Sequence, residues 1–270
     1  MRRLTAPNPS AYTFTGTQTY LVGRGEVAVI DPGPDKPDHL ARIMGETAGE
    51  RIVAILCTHT HRDHSPASRP LQGMTGAPIV GCAGLVPGGA GTGPDSSFDL
   101  DYRPDRAMAD GEVLRGQGWS LEAVATPGHT SNHLCFALPE AEALFSGDHV
   151  MGWATSVVIP PDGSMAAYLA SLERLIDREE RVYYPGHGDP IQNPRRFVTA
   201  LAGHRRQREG QIVRRLARAP ANVVDMVAEM YAGLDTQLMG AARHSVLAHL
   251  IDLEERAVVA RDGDTWRLAA

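Results

Sequence analysis

The sequence predicts an α/β protein in two parts: a mixed strand-and-helix (α+β) domain over 1–193 and a small, mainly helical domain over 194–270. Three observations carry that reading. Short apolar runs of β character recur through the first part, and several end on His or Asp. From Pro194 onward the pattern turns helical. The charge balance changes with it, from 14 basic against 23 acidic residues in 1–193 to 12 against 9 in 194–270.

The elements follow in order. "TQTYLVG" and "EVAVID" are strands joined at Arg24-Gly25 as a hairpin. "DHLARIMGETAG" spaces Leu40, Ile43 and Met44 as a helix does. "RIVAILCT" is a continuous apolar run, as in a strand buried on both faces. "SPASRPLQGM" predicts a helix capped by Ser65 with Pro66 at its first position. "APIVG" is another strand. The stretch 84–105, rich in Gly, Pro and Asp, is long for a connection inside a compact domain and is either functional or a surface insertion. Strands "SLEAVATP", "HLCFALP" and "ALFSGD" come next, then an amphipathic helix over 164–180 and the short strand in "RVYYPGHGD". The tail holds three helical segments and two short strands around Asp262-Gly263, a turn signal. Three helices and a closing hairpin point to a winged-helix-like module.

Composition narrows the function. A chain of 270 residues, 43% hydrophobic and 21% charged, fits an ordinary soluble protein. A net charge of −6 does not mark a nucleic-acid binder. Three cysteines without a CxxC fit buried thiols in a reducing compartment. The opening "MRRLTAPNPSAYTF" lacks the apolar stretch of a secretory signal, and no run approaches the roughly 20 apolar residues of a membrane span. The expectation is a cytoplasmic protein with no membrane partner.

The chemistry concentrates at the strand ends. "THTHRDHS" (58–65) places His59, His61, Asp63 and His64 directly after a strand, and His129, Asp148 and His187 each close another. Loops at one sheet edge build a common site from such ends. Seven groups exceed the three or four that one zinc takes from protein. His59 and His61 can share one ion, Asp63 and His64 a second, and the two oxygens of Asp148 can bridge them. Ions roughly 3.5–4 Å apart bring a shared water close to ionisation at neutral pH.

His59-x-His61-x-Asp63-His64, followed by His129, Asp148 and His187, resembles the metallo-β-lactamase superfamily over roughly 1–193. The resemblance implies an αββα sandwich followed by the small winged-helix-like domain. It also implies that His59, His61 and His129 hold metal 1, that Asp63, His64 and His187 hold metal 2, and that Asp148 bridges. Asp63 and Asp148 are then the catalytic carboxylates, and Asp31 in "AVIDPG" matches the family's structural aspartate. The flanks "GDHVMGW" and "YYPGHG" and the helical tail are similar to the β-lactamase-like protein 2 group, whose animal members act on single-stranded RNA. Lys36 is the only lysine and lies far from the motifs, so antibiotic hydrolysis is not expected as the native role.

Two further histidines, His133 and His149, stand beside the ligands as supporting candidates. Arg205, Arg206, Arg208, Arg214 and Arg215 offer a nucleic-acid contact, or else pair with the acidic first domain. The tail lacks the interleaved aromatics of single-strand binders, and a homodimer remains open. The expected function is hydrolysis by two Zn2+ per chain, with Mn2+ or Fe accepted by the same ligands. Its substrate is a small ester or thioester, or single-stranded RNA. A mononuclear iron oxygenase of the persulfide dioxygenase type is the alternative, and a non-catalytic nucleic-acid-binding protein the third reading.

Overall fold

The computed structural model describes residues 1–85 and 97–269. Two sheets face each other. The first has the order β1 (Arg2–Thr5), β2 (Gln18–Val22), β3 (Glu26–Ile30), β4 (Arg51–Cys57), β5 (Ile79–Gly81) and β6 (Arg106–Ala107). It begins antiparallel, and from β3 onward its strands run parallel. Parallel neighbours need crossovers. Helices α1 (Pro37–Glu46) and α2 (Ser68–Thr75) supply two of them. The second sheet contains β7 (Val113–Gly116), β8 (Trp119–Ala125), β9 (Leu134–Leu138), β10 (Ala143–Gly147) and β11 (Val182–Pro185). Its order is β11-β10-β9-β8-β7.

Side-chain alternation decides what each face covers. Leu121, Ala123, Leu134, Phe136 and Phe145 point into the core shared with the first sheet. Their neighbours Val124, Cys135, Ala137 and Leu144 face the opposite way, onto Tyr168, Leu172 and Leu175 of α3 (Met165–Ile176). Leu40, Ile43 and Leu71 seat α1 and α2 against the first sheet. The result is the αββα sandwich.

Helix α4 (Pro194–Leu216) is shared between two cores. Val198, Leu201 and Ala202 pack beneath α3, whereas Ile212 and Leu216 join a separate cluster with Met226, Val246, Leu250 and Trp266. That cluster is closed by α5 (Val223–Met230), α6 (Met239–Glu255) and a small sheet. The sheet has the order β12 (Ala221–Asn222), β14 (Thr265–Leu268), β13 (Val259–Asp262). This is the winged-helix part of the expected fold. Among the described residues no helix is long and apolar enough to cross a membrane. All three cysteines are buried thiols.

Two local expectations differ. Helix α2 starts at Ser68, three residues after the expected cap, and Ser65 donates instead to the Asp99 carboxylate at 2.8 Å. The preceding turn is tied by the His64 and Ser65 amides donating to the His61 carbonyl, so the histidine loop is folded on itself before the helix begins. Of the 84–105 connection, residues 86–96 lie outside the described residues. Tyr102 at its far end is buried, and Phe98 packs on the His61 ring at 4.7 Å.

Candidate metal centre

Strand β4 carries its apolar side chains into the core as far as Cys57, and the chain then turns through Thr58 into the histidine loop. The ends of β8, β9–β10 and β11 arrive at the same edge. Three donor groups result: His59 with His61 and His129; His59 with His64 and Asp148; and Asp63 with His64 and His187. Within each group one donor atom per residue lies within 4.8 Å of the others.

The hydrogen bonds fix which nitrogen of most rings points inward. Asp31 accepts from the Thr58 amide and the Thr58 hydroxyl, both at 2.8 Å. That hydroxyl has spent its proton, so its contact with His59 Nδ1 at 2.9 Å is donation by the ring. His64 Nδ1 donates to the same aspartate at 2.9 Å. His129 Nδ1 donates to the Val157 carbonyl at 2.6 Å, and His187 Nδ1 to Gly16 at 3.4 Å. In their neutral forms all four therefore present an Nε2 lone pair to the centre, the orientation that outer hydrogen bonds impose on metal-binding histidines. His61 Nδ1 lies 3.0 Å from His59 Nε2 and 3.1 Å from His129 Nε2. One proton cannot satisfy both contacts, and a cation among the three would.

The two sides differ in charge. Burial first, and then neighbouring imidazoles, hold His59 well below the usual range and push His61 down to about 3. Burial also opposes charge on His64, but Asp63, Asp148 and Asp31 outweigh it and raise its pKa. Against the same burial, Asp148 and Asp63 push His187 up to about 9. The Asp63 carboxylate lies 3.1 Å from His187 and 3.3 Å from His64. Asp148 stands between the sides, its oxygens 3.4 Å from His64, 3.4 Å from His187 and 3.8 Å from His129. The donors and their orientation fit divalent cations.

Backbone and neighbours hold this arrangement. A Cβ on Gly186 would come within 2.5 Å of Asp148 Oδ1 and 2.7 Å of the His64 ring, so only glycine fits. His133, a supporting candidate from the sequence, accepts from the Asp148 amide at 3.2 Å and donates to Thr126 at 2.9 Å, which positions the carboxylate. His149 corrects the expectation. Its ring turns to Tyr168 at 4.6 Å and, among the described residues, neither of its nitrogens has a hydrogen-bond partner, so it makes no hydrogen bond to any of the seven groups. The sequence reading missed Thr58 and Thr17, the latter donating to Asp63 at 3.1 Å. A threonine between an apolar strand and a histidine loop is a weak signal for such a relay.

The arginines do not form one basic face. Arg205, one of the arginines offered as a nucleic-acid contact or a partner of the acidic first domain, is buried away from the surface, and its guanidinium donates to the Ser156 carbonyl. Arg206 pairs with Glu173 on α3 at 2.5 Å, and Arg215 with Glu229 at 2.8 Å. Arg208 stacks on Tyr231 at 4.6 Å, and Arg214 is exposed.

Residues 12–187 match the family model of the metallo-beta-lactamase superfamily. The chain is 32% identical to a beta-lactamase-like protein 2 homolog from Drosophila melanogaster, covering 94% of this chain and 87% of that protein. The chain belongs to the metallo-β-lactamase superfamily. It is a hydrolase of that superfamily, and residues 223–266 match the beta-lactamase associated winged helix domain. Another superfamily relative is an atrochrysone carboxyl ACP thioesterase from Aspergillus chevalieri, 34% identical over 78% of this chain. This chain spans 64% of that enzyme's length. The fold matches the crystal structure of a metallo-beta-lactamase family protein from Thermus thermophilus with a TM-score of 0.80 at 24% identity. That match covers 99% of this chain and 98% of the other.

Proposed function

We propose that this chain is a dinuclear metal hydrolase of thioesters or small esters. The observation that carries the reading is the convergence of two donor groups, one of three imidazoles and one of two imidazoles and a carboxylate, with Asp148 between them. His59, His61 and His129 would hold one ion and Asp63, His64 and His187 the other. Bound there, divalent cations supply a water ionised at neutral pH and Lewis acidity toward the carbonyl oxygen.

The protein's own part is orientation and charge. Asp31 sets the tautomers on both sides, directly at His64 and through Thr58 at His59. Asp148 is aimed by His133 from behind and by the shape of Gly186 in front. The thioesterase activity in the name of the Aspergillus chevalieri relative supports thioesters over phosphodiesters. So does the engagement of several arginines inside the protein: Arg205 is buried, Arg206 pairs with Glu173, and Arg215 pairs with Glu229.

Elemental analysis and a thioester assay test this together. The full chain should hold two zinc ions, and Asp148→Ala should lower thioester hydrolysis by more than about a hundredfold, beyond the loss typical of outer supporting groups. A single iron per chain, or an unimpaired Asp148→Ala, would sink the two-metal reading.

A further inference from the structure

Between the metal-site edge and helices α4–α6 lies a cavity of about 320 Å3. Its volume falls in the range of small-molecule sites. Its walls are mainly apolar, with Met151, Val157, Leu234, Leu238 and Ala242 among them. One strip of chain, 151–157, joins the cavity to the metal centre. The Gly152 amide donates to the His187 carbonyl at 3.0 Å, and the Val157 carbonyl accepts from His129 at 2.6 Å. The strip is therefore bonded at both ends to residues of the donor groups and turns side chains into the cavity between them.

The wall also contains a charge that, among the described residues, has no carboxylate partner. Arg205 is 2% exposed and lines this cavity. A guanidinium stays protonated even when buried, and leaving a buried charge without a partner is strongly destabilising. Buried arginines are accordingly paired. Among the described residues Arg205 has no carboxylate within ion-pair distance. It donates to the Ser156 carbonyl, lies over the Tyr168 ring at 5.2 Å, and leaves Nε with no partner. His249, nearby on α6, adds no negative charge; burial and then the Arg205 charge push it down to about 3. Arg208, at the same wall, also lacks a carboxylate among the described residues.

We propose that this cavity holds the acyl part of the substrate, and that it selects an apolar or aromatic body bearing a carboxylate, which Arg205 binds and Arg208 flanks. The inference rests on the ester or thioester reading and names the acid half of that substrate. The carboxylate would supply the missing partner of the guanidinium, while the apolar walls take the body. A phosphate-rich polymer would leave those walls uncovered.

Binding tests it without turnover. Trp153 lines the cavity and is half-buried, whereas Trp119 and Trp266, the other two of three tryptophans, are buried elsewhere. Quenching of tryptophan fluorescence in the metal-loaded chain therefore reports occupancy. Titration with 2-naphthoate and with the neutral 2-naphthamide should show the carboxylate bound tighter by about tenfold or more, the scale of a charge-assisted bond. In Arg205→Met the amide should bind as before while the preference falls to within about twofold, and Arg205→Lys should keep part of it. If Arg205→Met does not fold, Arg208→Gln provides the second reading, with a smaller loss of preference and unchanged amide binding. A preference that survives Arg205→Met but vanishes on chelation would place the carboxylate on the metals and overturn the proposal. An Arg205-dependent signal stronger for a single-stranded RNA oligomer than for naphthoate would overturn it too. Tight naphthoate binding with no thioester hydrolysis would instead remove the proposed reaction and leave the cavity's ligand standing.

Discussion

The all-imidazole group of His59, His61 and His129 and the mixed group of Asp63, His64 and His187 share one edge of the sandwich and one supporting aspartate. Yet they meet protons in opposite ways. In the first group burial and mutual repulsion keep His59 and His61 neutral, with His61 down to about 3. In the second, carboxylates overcome burial and keep His64 and His187 charged, with His187 up to about 9. The first group therefore offers ready lone pairs, and the second offers lone pairs only when its protons leave. Two pockets made from nearly the same residue types differ because Asp63 belongs to one side and Asp148, between them, lies closer to that side, 3.4 Å from His64 and His187 against 3.8 Å from His129.

The largest effect expected from this contrast is in metal loading against pH. A cation entering the mixed group must displace protons, so its affinity should fall by about tenfold per pH unit for each proton displaced below about 9. His59 and His61, already neutral, should add little pH dependence to zinc in the imidazole group between pH 5 and 9. Elemental analysis after dialysis should find two zinc ions per chain at pH 8.5 and about one at pH 5.5, and calorimetry should detect proton release with the second ion only. Simultaneous loss of both ions would break the contrast.

The metal-free protein should show the same opposition in its stability. The raised His187 contributes stability that is full below its unfolded value near 6.5 and is lost as pH rises toward about 9. The lowered His61 acts in the other direction, costing stability as pH falls from 6.5 toward about 3. Thermal melting of the chelated chain should therefore peak between these limits, and His187→Gln should reduce only the alkaline arm, leaving the part that the raised His64 contributes.

A smaller effect separates direct from relayed support. Asp31→Asn should weaken metal binding in both groups, by about ten- to a hundredfold, because it touches His64 itself and His59 through Thr58. Thr58→Val should weaken the imidazole group alone and cost about 1 kcal/mol of stability, the usual worth of one buried hydrogen bond. Equal losses in both groups from Thr58→Val would show that Asp31, not the relay, carries the coupling.

Much of this site could be read from the chain because its donors are rare side chains placed after apolar strands. A strand announces itself by composition, and the residue just beyond it lands at the sheet edge wherever the strand lies. His129 and His187 needed no knowledge of β8 or β11 beyond their existence. Arg205 could not be read that way. In "HRRQREG" it looks like its exposed neighbour Arg206, and only the packing of α4 against the 151–157 strip turns one inward and the other to Glu173. The start of α2 failed for a related reason. Ser65 and Pro66 make a sound local cap signal, but the loop's own hydrogen bonds and Asp99 claim that serine first.

By itself the sequence determined the order of strands and helices, the winged-helix-like tail and the seven candidate donors, because periodicity and residue chemistry are local properties; the αββα class came through its resemblance to the metallo-β-lactamase superfamily. The tertiary structure alone decided the tautomers, the unequal charge of the two groups and the burial of Arg205. Each depends on which distant groups come within a few ångströms of one another, and electrostatic and hydrogen-bond energies fall off steeply over that distance.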